Sequence, residues 1–279
     1  MNNFWTRVIS GIFMISVVIL LINQGQIGIN ILAIIIGLGS HYEWLKLKDK
    51  LSNSNLAISF LYFFFILFFK QINDSDFQNL WQSIAILMSV VLGANYTKRE
   101  NKIFNIDLII NHIYISIPLL LFTLTPYTKN IYNHYNAMLP IMLMVLVWSS
   151  DSWAYVSGKL FGKHKLAPSI SPGKTWEGLI GGTILTGITG YFFVKYLLEP
   201  GGGFIGTDGA HNFTLLKGTI LGIAISIVGT MGDLFESSLK RKAGVKDSGN
   251  VLPGHGGMLD RFDAFLFAAV VFTIVSRIP

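Results

Sequence analysis

The lengths of its apolar runs limit the folds open to this chain more than any other property. Apolar stretches fall at 5–22, 27–45, 55–69, 80–96, 108–125, 137–158, 176–198, 214–235 and 262–278. Most approach the ~17–25 residues that a helix needs to cross the hydrocarbon of a bilayer. A helix also satisfies its own backbone hydrogen bonds inside lipid. We therefore predict an all-α polytopic integral membrane protein with nine transmembrane helices.

The distribution of positive charge predicts the orientation of these helices. With the N-terminus in the cytoplasm, 16 of the 21 Lys and Arg fall in inside segments and five in outside segments. Cytoplasmic loops of membrane proteins carry such an excess. The polar loops 159–175 and 233–263 are then cytoplasmic. The net charge of +6 reflects this topology, so we expect no nucleic-acid partner.

Composition agrees with a membrane protein and excludes some chemistry. Charged residues make up 13% of the chain and hydrophobic residues 52%, whereas about 25% of the residues of a soluble domain are charged. The chain has no Cys, which excludes disulfides and thiolate metal sites.

Charge concentrates in one stretch, residues 233–263. It holds five of the Lys and Arg and five of the 15 acids, between two apolar runs. If both flanks are helical, Asp233 with Glu236 and Asp260 with Asp263 lie at i,i+3 on one face of each helix. Such carboxylate pairs favour a cation, and Mg²⁺ prefers oxygen ligands together with substrate phosphates. A cytoplasmic loop whose charges are merely solvated is the alternative.

The same stretch resembles the signature of the phosphatidate cytidylyltransferases, also called CDP-diacylglycerol synthases. The signature reads Ser-x-apolar-Lys-Arg, four residues, Lys-Asp, and then Pro-x-His-Gly-Gly leading into apolar-x-Asp-Arg-apolar-Asp. This chain fills every position, with Ser237, Leu239, Lys240, Arg241, Lys246, Asp247, Pro253, His255, Gly256, Gly257, Met258, Asp260, Arg261, Phe262 and Asp263. So many fixed positions within 27 residues argue against a chance match.

A second segment of the chain resembles the family near residue 151. It reads Asp-x-x-Ala-Tyr-x-x-Gly and continues into Phe-Gly-Lys. Asp151 stands at the cytoplasmic end of a predicted span, where an acid requires a partner or water. The resemblance places Asp151 near the site.

The third segment, SISPGKTWEGLIGG at 169–182, imitates the end of a P-loop. That motif would require Gly at position 168, where the chain has Pro. We predict instead a polar loop that ends in a helix capped by Thr175, which leaves Ser171 and Lys174 to bind phosphate. The segment resembles the family's Ser-Pro-x-Lys-Thr-Trp-Glu-Gly, in which many members carry Lys at the position of Gly173.

The resemblance implies a reaction and its partners. It implies that the cytidylyl group of CTP is transferred to phosphatidate, which gives CDP-diacylglycerol and pyrophosphate for phospholipid biosynthesis. The expected place is the bacterial inner membrane, with the active site facing the cytoplasm. Mg²⁺ is the expected cofactor, with Mn²⁺ as the alternative. CTP, phosphatidate and the lipid bilayer are the expected partners, and a homodimer is left open.

The candidate residues fall into three overlapping sets. The expected catalytic residues are Asp233, Lys240, Arg241, Lys246, Asp247, His255, Asp260, Arg261 and Asp263. The expected substrate-binding residues are Asp151, Ser171, Lys174, Lys240, Arg241, Gly256 and Gly257. The expected metal ligands are Asp233, Asp260 and Asp263. Asp151 and Asp247 are candidates to orient cations or metal-bound water, and His255 is either a leaving-group contact or a turn residue.

The chain is expected to divide near residue 136. Residues 1–136 form a scaffold of about five spans, and residues 137–279 form the catalytic region. In the scaffold, His41, Glu43, His112 and His134 stand alone near segment ends and receive no role, because a lone His is more often a packing residue than a ligand. In the catalytic region, two pairs of Gly four residues apart, Gly178 with Gly182 and Gly218 with Gly222, allow helices to approach closely. We expect this packing to lie within the chain, with a dimer interface as the alternative.

Two other functions remain open. A CTP-dependent polyprenol kinase would also bind a triphosphate beside a membrane alcohol, but would transfer the terminal phosphate. A transporter would also place acids and interrupted helices in a membrane. It would place them near the midplane, whereas the acids here lie at the predicted span ends.

Overall fold

The structure is a computed structural model that describes residues 3–49, 51, 56, 59–60, 63, 106–127, 135–198, 213–251 and 256–278. These residues are mostly helical. By length and composition, four of their helices are able to cross a membrane: Gly25–Leu47, Met138–Phe161, Trp176–Leu198 and Leu215–Lys242. This confirms a mostly helical protein with helices long and apolar enough to cross a membrane, but the structure also contains one small sheet, which the all-α prediction did not include. The count of nine, the cytoplasmic N-terminus and the division near residue 136 stay predictions, and the predicted spans 55–69 and 80–96 lie almost wholly outside the described residues.

The described elements follow one another in a simple order. They are α1 (Asn3–Asn23), α2 (Gly25–Leu47), α3 (Ile106–Asn111), a π-helical turn (His112–Ser116), α4 (Ile117–Leu124), α5 (Met138–Phe161), β1 (Lys165–Ala167), β2 (Ser171–Thr175), α6 (Trp176–Phe193) with a second π-helical turn (Val194–Leu198), α7 (Leu215–Lys242) and α8 (Leu259–Arg277).

The predicted fifth span is one helix with a wide turn in its middle. Pro118 has no N–H to donate to the carbonyl four residues earlier, and its ring would clash with that carbonyl. The helix widens instead, and Ile117 N–H bonds to His112 O, five residues back. The turn also brings Asn111 and Ser116 to His41 of α2, whose two ring nitrogens each lie 3.0 Å from one of their oxygens. His41 and His112 are both buried, so they are packing residues, as expected.

Residues 165–175 form a β-hairpin, where the sequence predicted only a polar loop. β1 pairs with β2 in antiparallel register, with Lys165 opposite Thr175 and Ala167 opposite Ser171. The turn between the strands is closed by a hydrogen bond from Ile170 N to Ala167 O and has Pro168 at its second position. Proline fixes the backbone angle that this position of a β-turn requires. The predicted cap of the next helix is confirmed, because Thr175 Oγ1 accepts from Gly178 N.

Helices α5 to α8 pack against their neighbours in chain order, and glycines allow the closest approach. A Cβ on Gly190 would collide with the carbonyl oxygen of Gly218, and one on Gly222 would collide with that of Thr186. The backbones of α6 and α7 are therefore in direct contact, as expected of small residues at a helix crossing. The prediction that these glycines pack within the chain is confirmed. Farther in, Phe122 of α4 meets Phe265 of α8 edge to face, with ring centroids 4.9 Å apart, in the apolar core.

The charged stretch lies where α7 ends and α8 begins. The helix continues through Lys240, Arg241 and Lys242, whose positive charges favour the C-terminal end of a helix dipole. It stops at Gly244, which has a φ of +70° and is followed by a bond from Val245 N to Lys240 O. That pattern closes many helices with glycine. Residues 233–242 are therefore helical, and the loop proper is shorter than the sequence suggested.

Candidate active site

Carboxylates from three helices converge at the centre of the candidate site. Asp151 lies on α5, Asp233 on α7 and Asp263 on α8, and Asp263 interacts electrostatically with both of the others and with Glu236. Gly232 allows α7 and α8 to approach closely at this point, because a Cβ there would lie 2.6 Å from the backbone oxygen of Asp263. Asp263 is 9% exposed. Carboxylates that interact in this way are unfavourable together unless a cation offsets their charge.

Lys174 supplies a positive charge to this group of carboxylates. It lies on β2, and its Nζ is 2.5 Å from Asp233 Oδ2, while Asp233 Oδ1 accepts a hydrogen bond from Ser237 Oγ. Lys174, Asp233 and Asp151 also line a cavity of about 430 Å³ between α5, the hairpin, α6 and α7. Ser171 lines the same cavity, so four of the predicted residues meet there.

Lys240 is the centre of a second, more enclosed cluster. Its Nζ pairs with Glu236 and lies 2.6 Å from Asp260 Oδ1. Glu236 is fully buried and Lys240 is 8% exposed, so this group of charges is shielded from solvent. A buried ion pair of this kind fixes geometry more than it stabilises the fold. The cluster ties the end of α7 to the start of α8.

Asp260 also holds the loop that precedes it. Its Oδ2 accepts from Ser248 N at 2.9 Å and from Gly257 N at 2.8 Å. Gly256 has a φ of +83°, which other residues rarely adopt, and a Cβ there would lie 2.8 Å from Asp260 Oδ2. Gly256 and Gly257 thus lie against a carboxylate here, and their predicted role in binding an anion stays a prediction.

The remaining predicted residues lie at the edges of the two clusters. Arg241 donates to Ile170 O at 3.3 Å and so links the end of α7 to the hairpin turn. Lys246, Asp247 and Arg261 are exposed. Asp247 lines a separate cavity of about 600 Å³ at the end of α2, and Arg261 interacts electrostatically with Asp151. His255 lies outside the described residues, and its predicted role stays open.

The donor set fits a divalent ion held by few protein ligands. Within the part of the chain that the structure describes, no three His, Asp or Glu side chains are grouped closely enough to hold a metal by themselves. Mg²⁺ commonly takes only one or two carboxylates and completes its shell with water and substrate phosphates. Asp233 and Asp263 would provide such a pair if Lys174 released Asp233 Oδ2. Asp260, the third predicted ligand, uses its oxygens on Lys240 and two backbone amides, so it would have to release a partner to join them.

Glu43 of α2 is an acid near the site that was not predicted as a site residue. Its side chain is fully buried and accepts hydrogen bonds from Met258 N and Leu259 N, each at 2.8 Å. It also accepts from Ser248 Oγ at 2.7 Å. The only local signal was an acid at the end of an apolar run, the same signal that drew attention to Asp151.

The chain is similar in sequence to proteins of known name. Residues 5–278 match the model of the cytidylyltransferase family. The phosphatidate cytidylyltransferase of Bacillus subtilis is 33% identical over 94% of this chain and 93% of its own length. The enzyme of that name from Haemophilus influenzae is 44% identical over 146 residues, and the match spans about half of each chain (52% of this one and 47% of the relative). That of Staphylococcus haemolyticus is 47% identical over 47% of this chain and 46% of its own. The family model covers nearly the whole chain, including α5, the hairpin and α6 to α8, which carry the site. This protein therefore belongs to the cytidylyltransferase family.

Proposed function

We propose that this protein transfers the cytidylyl group of CTP to phosphatidate, which gives CDP-diacylglycerol and pyrophosphate. One observation carries the proposal: Asp151 and Asp233 line a cavity together with Lys174, and Asp263, from a third helix, interacts electrostatically with both acids. Phosphoryl transfer requires this kind of site, because it depends on positioning and charge neutralisation more than on covalent chemistry by the protein. The relatives' names support the same reaction, and the match to one of them covers 94% of this chain.

The residues have separable tasks in this reaction. Lys174 holds triphosphate oxygens at the cavity, and Arg241 and Lys246 supply further positive charge to the phosphates. The phosphate of phosphatidate is already an anion near neutral pH, so it needs alignment with the α-phosphate more than a general base. Asp233 and Asp263 would hold Mg²⁺, or Mn²⁺ in its place. When bound, the ion neutralises charge on the phosphates and on the leaving pyrophosphate.

The cavity also suits a substrate that lies partly in lipid. Its wall includes Tyr155 and Leu179 beside the polar residues, and Leu160 and Phe161 at the end of α5 are 67% and 66% exposed. These exposed apolar groups are compatible with lipid contact and unfavourable in water. We infer that phosphatidate enters sideways between α5 and α6, with its acyl chains left in the cytoplasmic leaflet of the inner membrane.

The proposal is tested with detergent-purified protein, phosphatidate and CTP labelled at the α-phosphate. We expect label to enter a lipid, EDTA to abolish the transfer, and Asp263→Asn to lower the rate at least about 100-fold. Asp107→Asn is the matched control, since Asp107 pairs with Lys48 away from the cavity. If folded wild-type protein leaves the α-label in soluble nucleotide, the proposal is wrong. Label arriving in a polyprenol from γ-labelled CTP would instead show a kinase.

A further inference from the structure

The N-terminus of α8 is capped by a residue from a distant helix. The first N–H groups of a helix have no partners within it and need acceptors from elsewhere. Met258, the residue before α8, supplies no side-chain cap. Glu43 takes its place, because its two carboxylate oxygens accept from Met258 N and Leu259 N. A negative charge at this end of a helix is also favourable to the helix dipole.

Glu43 and Asp260 both bind the residues on either side of the loop before α8. Ser248 donates its hydroxyl to Glu43 and its backbone N–H to Asp260. Gly257 N also donates to Asp260, and the next two amides donate to Glu43. Ser248 and the residues from Gly257 to Leu259 are thus held together by one carboxylate from α2 and one from α8.

The space around Glu43 leaves little freedom for this arrangement. A Cβ on Gly249 would lie 2.5 Å from Glu43 Oε1, and one on Gly257 would collide with Oε2. The carboxylate is therefore enclosed by backbone, and each of its oxygens faces a fixed donor. It contacts neither Lys174 nor the cavity that Lys174 lines.

We propose that Glu43 is a positioning residue for catalysis. It sets the start of α8 and the loop before it, which in turn places Asp260 against Lys240 and Asp263 opposite Asp233. Glu43 itself touches no substrate. This inference rests on the proposed cytidylyl transfer, since the acids it positions are those assigned to that reaction.

Glu43→Gln is the sharpest test, because glutamine has nearly the same shape but offers only one oxygen. Its NH₂ group would face either Met258 N or the two donors at Oε2. The hydrogen bonds to that one side-chain atom are therefore lost. We expect kcat to fall about 30-fold, while KM for CTP stays within twofold, because the walls of the cavity come from α5, the hairpin, α6 and α7. Hydrogen exchange of the Met258 and Leu259 amides should speed up at least about 10-fold, which is measured by mass spectrometry.

His41→Gln serves as the matched control on the same helix. His41 is equally buried but bonds to Asn111 and Ser116, away from the loop. It should lower the melting temperature in detergent and leave the kcat of the folded protein within twofold. Ser248→Ala, which removes only one bond to Glu43, should lower kcat about threefold, and it provides a milder variant if Glu43→Gln does not fold.

The possible results are distinguishable. The inference is wrong if folded Glu43→Gln keeps wild-type kcat and amide exchange, or if its loss of kcat merely follows its melting temperature as His41→Gln does. If wild-type protein makes no labelled lipid, the proposed reaction fails. The exchange of the two amides then still decides whether Glu43 sets the loop.

Discussion

The ion pair of Lys174 and Asp233 joins the residue proposed to bind phosphate to a residue proposed to bind the metal ion. The two side chains are partly exposed, at 23% and 28%, so water and substrate both reach them. An ion pair this accessible adds little to stability, because solvent screens it. Its two charges are therefore free to serve a triphosphate and its counter-ion without a large loss of folding free energy.

We expect Lys174→Met to lower kcat/KM for CTP about 100-fold, because one fixed positive charge is lost at the phosphates. The measurement is steady-state transfer of α-labelled cytidylyl groups. Lys163→Met, which removes an exposed lysine from the same region, should stay within twofold. A Lys174→Met enzyme with unchanged kcat/KM would remove Lys174 from the proposed site.

Gly173 offers a test in the opposite direction. A Cβ there would meet nothing within 4 Å, and the position lines the cavity, so Gly173→Lys should fold normally. We expect its KM for CTP to fall about threefold, since a second cation would approach the phosphates. Gly173→Gln adds a chain of similar length without the charge and should leave KM unchanged. Equal effects of the two substitutions would show that charge is not the cause.

Among the helices, the crossing of α6 and α7 fixes the distance between the hairpin and Asp233. Both helices carry glycine where their backbones touch, and the hairpin leads directly into α6. Any widening of this crossing would move Lys174 away from Asp233. The stability of the crossing is therefore linked to the geometry of the site.

Gly222→Leu should separate the two helices, because even its Cβ would collide with the Thr186 carbonyl. Overpacking of this kind costs about 1–3 kcal/mol. We expect a melting temperature several degrees lower and reduced transfer activity, measured on detergent-purified protein. Ile220→Phe adds volume on the same helix at a residue that is 47% exposed and should change neither. Unchanged melting of Gly222→Leu would mean that the crossing is looser than the structure shows.

The sequence predicted elements whose determinant was a recognisable pattern at short spacing. It failed for short strands that carry no such pattern and for contacts with residues far along the chain. Thr175 was recognised as a cap and Gly222 as a packing residue because both act on neighbours at short spacing. The hairpin was missed, since its strands are three and five residues long and carry no alternating apolar pattern. Glu43 was missed because its partners lie 205 to 216 residues away, and nothing near it in the chain indicates them.

The predicted orientation of the whole protein in the membrane can be tested with single introduced cysteines. The chain has no Cys, so a single introduced Cys is the only thiol that a maleimide could label. With the active site facing the cytoplasm, Lys163→Cys should be protected from a membrane-impermeant maleimide in intact cells, and Gly209→Cys should react. Permeabilised cells provide the control, in which both should react. The reverse pattern would overturn the predicted orientation and place the site outside.

The contact of Glu43 with α8 has a consequence for biosynthesis. A polypeptide is made from its N-terminus, so α2 enters the membrane long before α8 exists. During that interval the Glu43 carboxylate has none of the donors that it meets in the finished protein. Because Met258 and Leu259 donate to Glu43 only once α8 has been made, the arrangement around Glu43 cannot form earlier. A chain that stops short of α8 would lack activity even with every earlier helix in place.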